Sequence, residues 1–121
     1  MSNKEQKNRH YDHEERTFNF GAKIINMAKA LPRNQVNLIL SNQIIRSGTS
    51  IGANYCEANE TSTKKDFKFK IGICRKEAKE TIYWLKLIIH ANPELKEKIN
   101  PLIQEATELM KIFGAILEKV K

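Results

Sequence analysis

Between Val36 and Asn59 the chain carries two ionised side chains, Arg46 and Glu57, although 29% of its residues are charged overall. The same segment has helical spacing. Ile44, Gly48, Ile51, Tyr55 and Ala58 recur at alternating steps of four and three, the signature of one helix face. Beside them runs a polar but neutral stripe of Gln43, Ser47, Ser50 and Asn54, ending at Glu57. A surface helix of a monomer ordinarily shows water a charged face. A helix without one is expected to be covered on more than one side, by its own bundle and by another subunit. Gly48 and Gly52 lie inside this helix, each at a cost of about 1 kcal/mol relative to alanine. Their presence points to a neighbouring helix passing close by. Gln43, Ser47, Gly48, Ser50, Gly52 and Asn54 are thus the expected close-packing or oligomer-interface positions.

The rest of the chain follows the same helical period. Phe20, Ile24, Met27 and Leu31 make a first series, with Phe18, Ala22, Ile25 and Ala28 beside it. This predicts a helix over 17–31, stopped by Pro32. Asn34 is the expected N-cap of the second helix, which runs to Asn59. Thr63 followed by Asp66 has the spacing of a capping box and opens a third helix, 63–91. Its seam is Phe67, Ile71, Cys74, Ala78, Thr81, Leu85 and Ile88. Asn92-Pro93-Glu94 predicts a short helical turn to Ile99. Asn100-Pro101 repeats the signal and starts a fourth helix with Leu102, Ala106, Leu109, Phe113, Ile116 and Val120 inward. Residues 1–15 lack periodicity and mix both signs of charge, so they are expected to form a disordered or frayed arm. Residues 16–121 then form one all-α domain, an antiparallel up-down-up-down four-helix bundle.

Charge is distributed unevenly. The formal net charge is +7, which favours anionic partners without specifying one. On the third helix Lys64, Lys68, Arg75, Lys79 and Lys86 fall within about 60° of one another, and no acid interrupts them. They are the nucleic-acid-binding candidates, a rail for RNA or DNA phosphates. The competing reading is a solvated face of a protein–protein adaptor. Asp66, Glu77 and Glu80 occupy another face, where Asp66–Lys70 and Lys76–Glu80 have the spacing to pair. With few aromatic residues expected at its surface, the helix should contact backbone rather than bases.

Arg46 and Glu57 lie about 16 Å apart along their helix and cannot pair there. If the second and third helices turn back at residue 61, facing residues have numbers summing to about 122. Arg46 then faces Glu77 or Glu80, and Glu57 faces Lys64, Lys65 or Lys68, forming structural ion pairs.

Enzymatic readings find little support. The histidines are His10, His13 and His90, and no Glu-x-x-His motif exists for a di-iron bundle. Neither Cys56 nor Cys74 has zinc-ligand spacing, and no strand precedes the glycines as a phosphate loop requires. No catalytic, cofactor or metal site is expected. No apolar run approaches the roughly 18 residues of a membrane span, and no secretion signal is visible. The expectation is a cytoplasmic protein, with both cysteines buried and reduced.

Ser41-x-Gln43-x-x-Arg46-Ser47-Gly48-x-Ser50-Ile51-x-Ala53-Asn54, Glu57-Ala58, Lys65-Asp66-Phe67, Arg75, Glu80 and Leu85 together resemble the bacterial four-helix bundle family named for proteins encoded in intervening sequences of 23S rRNA genes. The resemblance spans residues 17–120 and is most specific in the two central helices. It implies a four-helix monomer and a ring-shaped homopentamer. It also implies kinship with the accessory protein of diversity-generating retroelements, a basic pentamer that binds nucleic acid and a reverse transcriptase. Expected partners are therefore further copies of the chain, RNA or DNA, and an unidentified protein.

Overall fold

The computed structural model describes residues 3–120, with side chains from residue 12 onward. Four helices follow in order: α1 (Asn3–Ala30), α2 (Gln35–Asn59), α3 (Lys64–Ala91) and α4 (Lys96–Lys119), with a 3-10 turn at Pro93–Leu95 before the last. Consecutive helices pack against each other, whereas α1 and α4 touch over a smaller area. The fold is the up-and-down bundle that short connectors between amphipathic helices dictate.

The main apolar seams turn inward, but Val120 at the end of α4 lies outside the core, and Phe18 and Ile25, beside the seam of α1, are exposed. Phe20 and Ile24 of α1, Ile44, Ile51 and Tyr55 of α2, Ile71, Cys74 and Leu85 of α3, and Leu109 and Phe113 of α4 are buried in one core. Tyr55 sits at its centre. The His13 ring meets it edge-on at 5.8 Å, and Phe113 lies 6.0 Å away on the other side. The caps also form as spaced. Asn34 Oδ1 accepts from the Asn37 amide at 2.8 Å, and Thr63 Oγ1 accepts from the Asp66 amide at 3.1 Å.

Three departures from the sequence reading have physical causes. First, the arm expected over residues 1–15 gives way to helix, since α1 begins at Asn3; residues 1 and 2 lie outside the described residues. Glu14 accepts from Asn59 Nδ2 at 2.9 Å, His13 packs on Tyr55, and Arg16 forms a forked pair with Glu105 at 2.8 and 2.7 Å. The Arg16 guanidinium holds the Glu105 carboxyl below the usual carboxylate range, chiefly through its hydrogen bond. These long-range contacts anchor residues 13–16, where the local sequence lacks periodicity. Second, α4 runs unbroken through Pro101 instead of starting there. Pro101 is exposed, and a helix tolerates a missing N–H better on its wet side than in its core. Third, Asn92 does not cap the following turn. Its amide donates to Asn37 Oδ1, and Asn37 Nδ2 donates back to Asn92 Oδ1, both at 2.9 Å. This buried reciprocal pair joins the start of α2 to the end of α3, satisfying side chains that would be costly to bury alone.

The glycines record a close approach of α1 to α2. A Cβ at Gly48 would lie 3.0 Å from Ile24 Cγ1 and Cγ2, and one at Gly52 would lie 3.1 Å from Thr17 Oγ1. At Gly48 the neighbour is a side chain of the same chain, not a backbone, and that side chain is fully buried. Gly72 on α3 has nothing within 4 Å of such an atom. Gly72→Ala is therefore expected to stabilise the fold by about 1 kcal/mol through helix propensity. Gly48→Leu should destabilise it by about 1–3 kcal/mol through overpacking. Urea titration followed by circular dichroism measures both. Equal signs for the two substitutions would reject the close-packing account.

Candidate nucleic-acid interface

α3 has three solvent-related flanks, each set by what lies beside it. The flank toward α2 holds the acids. Arg46 forms an ion pair with Glu80, and its Nη1 lies 3.4 Å from Glu77 Oε2. Glu57 pairs with Lys70 Nζ at 2.8 Å. Thus Arg46 meets the two acids expected of it, but Glu57 does not meet Lys64, Lys65 or Lys68. The register of α3 against α2 is offset by a few residues from that of a turn centred on residue 61. The contacts Ile51–Cys74, Ser47–Thr81 and Glu57–Lys70 all have residue numbers summing to more than 122. The local pairs Asp66–Lys70 and Lys76–Glu80 are displaced as well, because Lys70 and Glu80 are drawn across to α2. Glu80 also accepts from Trp84 Nε1 at 3.2 Å.

The Arg46 side chain is 51% exposed, against 11% for Glu77. Arg46→Ala is accordingly expected to cost about 1 kcal/mol, the scale of a solvent-screened pair, rather than the 3–5 kcal/mol of a broken buried one. Thermal or urea unfolding of this variant decides between those magnitudes.

Ser47 and Gly48 are buried inside the single chain, where the Ser47 hydroxyl lies 2.9 Å from that of Thr81. Gln43, Ser50, Gly52 and Asn54 are partly covered. Ser50 Oγ donates to the Ser47 carbonyl and Asn54 Nδ2 to the Ser50 carbonyl, each at 2.8 Å. Much of the neutral stripe is therefore consumed by α2 itself and its contact with α3. The exposed apolar surface lies elsewhere. Phe18 and Ile25 of α1, with Ala53 and Cys56 of α2, border a groove of about 320 Å³, and Phe18 is 74% exposed. Cys56 is exposed here, contrary to the expectation of two buried thiols. Cys74 is buried, which pushes its thiol up to about 12, and it stays protonated at neutral pH.

The flank of α3 toward α4 is basic. Lys64, Arg75, Lys79 and Lys86 are exposed and Lys68 is half-buried. The Arg75 guanidinium lies over Gly114 of α4, 3.8 Å from where a Cβ there would sit. Lys68, Arg75, Lys79 and Lys86 form no ion pair among the described residues. The acids of α3 are mostly turned to α2, so this side presents positive charge along the helix.

Between the two flanks runs the outermost ridge of α3. It carries Phe69, 68% exposed, and Tyr83, 57% exposed, with Lys65 and Lys76 exposed along the same line. The expectation of a helix poor in surface aromatics is thus corrected. The signal lay in the seven-residue steps from Phe69 to Lys76 to Tyr83, which place all three on one line opposite the core seam. Among the described residues no three of His, Cys, Asp and Glu gather to hold a metal ion, and no helix is long and apolar enough to cross a membrane.

These features define a class of protein, an all-α antiparallel bundle with a basic outer helix. Within that class the chain belongs to the 23S rRNA-intervening sequence protein family, whose model matches residues 9–115. It is similar to a crystal structure of a protein of unknown function from the S23 ribosomal protein family of Bacteroides thetaiotaomicron. The two share 38% identity with a TM-score of 0.79, over 86% of this chain and 96% of the other. No curated protein matches.

Proposed function

We propose that this chain is a non-enzymatic, self-associating bundle that binds the backbone of RNA or DNA through α3. The supporting observation is the separation of charge on that helix. Its acids Glu77 and Glu80 are engaged by Arg46, while Lys68, Arg75, Lys79 and Lys86 run along the other side without ionic partners among the described residues. Each phosphate that such cations neutralise releases counterions, so affinity should be strongly salt-dependent. The resemblance to the accessory protein of diversity-generating retroelements supports the same reading and adds a homopentamer, in which the basic flank would be repeated around a ring. The apolar groove lined by Phe18, Ile25 and Ala53 supports self-association, and a cytoplasmic location suits a nucleic-acid ligand.

Gel retardation of generic RNA and duplex DNA across a salt series tests the binding. Retention near 50 mM salt that falls by orders of magnitude by about 200 mM is the expected result. No retention at the lower concentration would favour the second reading, a protein–protein adaptor, for which the exposed Phe18, Leu38 and Ile39 provide apolar surface. Light scattering tests the assembly independently. A monodisperse monomer at micromolar concentration would remove self-association, and a closed oligomer of another size would remove only the pentamer.

A further inference from the structure

We propose that the outer ridge of α3 makes this chain selective for single-stranded nucleic acid, with bases stacking on Phe69 and Tyr83 while the flanking lysines hold the phosphates. This deepens the backbone-binding reading and rests on it. Phe69 and Tyr83 are two of the most exposed large apolar side chains among the described residues, and they stand on the helix that carries the basic flank. Fourteen residues separate them, about 21 Å along the axis, and they lie within about 40° of each other around it. Lys76 stands midway. Lys65 and Lys79 lie one turn before Phe69 and Tyr83 respectively, and Lys86 lies three residues beyond Tyr83.

Charge distinguishes this pair from the other exposed apolar residues. Phe18, Ile25 and Ala53 border a groove that also contains Glu14, as suits contact between protein surfaces. Around Phe69 and Tyr83 the exposed ionised neighbours at helical contact spacing are Lys65, Lys79 and Lys86, with one acid, Asp66, three residues before Phe69. Glu80, three residues before Tyr83, is occupied by Arg46 and Trp84. Aromatic rings bordered by more ammonium than carboxylate groups suit a polyanion that also offers π faces. Duplexes hide those faces inside their own stack, and a convex helix cannot reach them. A single strand presents them, and base–aromatic stacking tolerates any sequence.

Tyr83 is also held in place. Its ring meets Trp84 at 5.2 Å and 70°, and Trp84 is fixed by its hydrogen bond to Glu80. The ring therefore loses less freedom when a base stacks on it. The distance between the rings fits a site of on the order of four nucleotides, the small end of single-strand sites.

Fluorescence anisotropy with a labelled oligo(dT) of about 20 nucleotides and a blunt duplex of equal length tests the proposal, at salt low enough for phosphate-led binding. The wild-type protein should bind the single strand more tightly. Replacing both rings, Phe69→Ala with Tyr83→Ala, should weaken oligo(dT) binding by roughly 10- to 100-fold, the scale of lost stacking, and leave duplex binding unchanged. Phe69→Trp and Tyr83→Phe, which keep the stacking faces, should retain the preference. Helix content by circular dichroism is expected to stay constant because both side chains are exposed. Wild-type protein that binds duplex as well as single strand, or a double variant that binds oligo(dT) as tightly as wild type, would overturn the inference and leave backbone binding standing. Absence of wild-type binding to either probe would overturn both.

Discussion

Reversing Lys68, Lys79 and Lys86 to Glu is expected to abolish nucleic-acid retention at low salt while leaving the bundle folded. Lys79 and Lys86 are exposed and Lys68 half-buried, and none contributes to the core. The phosphate term supplies essentially all of non-specific affinity. Three reversals remove three favourable contacts and install three repulsive ones on one flank. They also bring the formal charge of +7 close to neutrality, so a matched control is needed. Reversing Lys23, Lys29 and Lys98, exposed on α1 and α4, alters the net charge equally without touching α3. The α3 variant should lose retention and the control should keep most of it. Equal losses would show that net charge alone governs binding and that α3 has no special place. Retained binding in the α3 variant would move the contact to another surface.

Phe113→Ala is expected to destabilise the fold by about 3–5 kcal/mol, the range for truncating a fully buried aromatic. Phe113 is 0% exposed and carries α4 into the centre of the core, where its ring lies 6.0 Å from that of Tyr55. Ring pairs of this kind add about 0.5–1.5 kcal/mol beyond area burial. Tyr55 in turn receives His13 from α1, so a cavity at position 113 loosens the junction of three helices. Against a typical domain stability of about 5–15 kcal/mol, such a loss is large. Urea unfolding at fixed protein concentration measures it, with concentration held because self-association would contribute to apparent stability. A loss below about 1 kcal/mol would mean that the C-terminal half of α4 closes over the vacancy, unlike the T4 lysozyme series that sets the cavity scale.

Local chemistry determined a great deal here. The four helices, their inward seams and the caps at Asn34 and Thr63 were legible because each depends on residues within a few positions of one another. The partnership of Arg46 with Glu77 and Glu80 was legible for a related reason: an antiparallel helix pair brings a narrow set of residues opposite a charge. The family resemblance was carried mainly by those same two helices.

Tertiary structure decided the rest, because those features depend on groups distant in sequence. Residues 13–16 of α1 rest on Tyr55, Asn59 and Glu105, contacts that no local pattern could announce. The offset between α2 and α3 follows from how the connector closes and how the Asn37–Asn92 pair seats, so Glu57 met Lys70 and not the nearer lysines. Pro101 continued a helix it was expected to begin, on the exposed side of α4. The seven-residue step put Phe69 and Tyr83 opposite the seam of α3, but whether another helix covered that face rested on packing. A helical period fixes which residues share a face, but only the packed neighbours α2 and α4 determine which faces of α3 are covered and leave the ridge between them open.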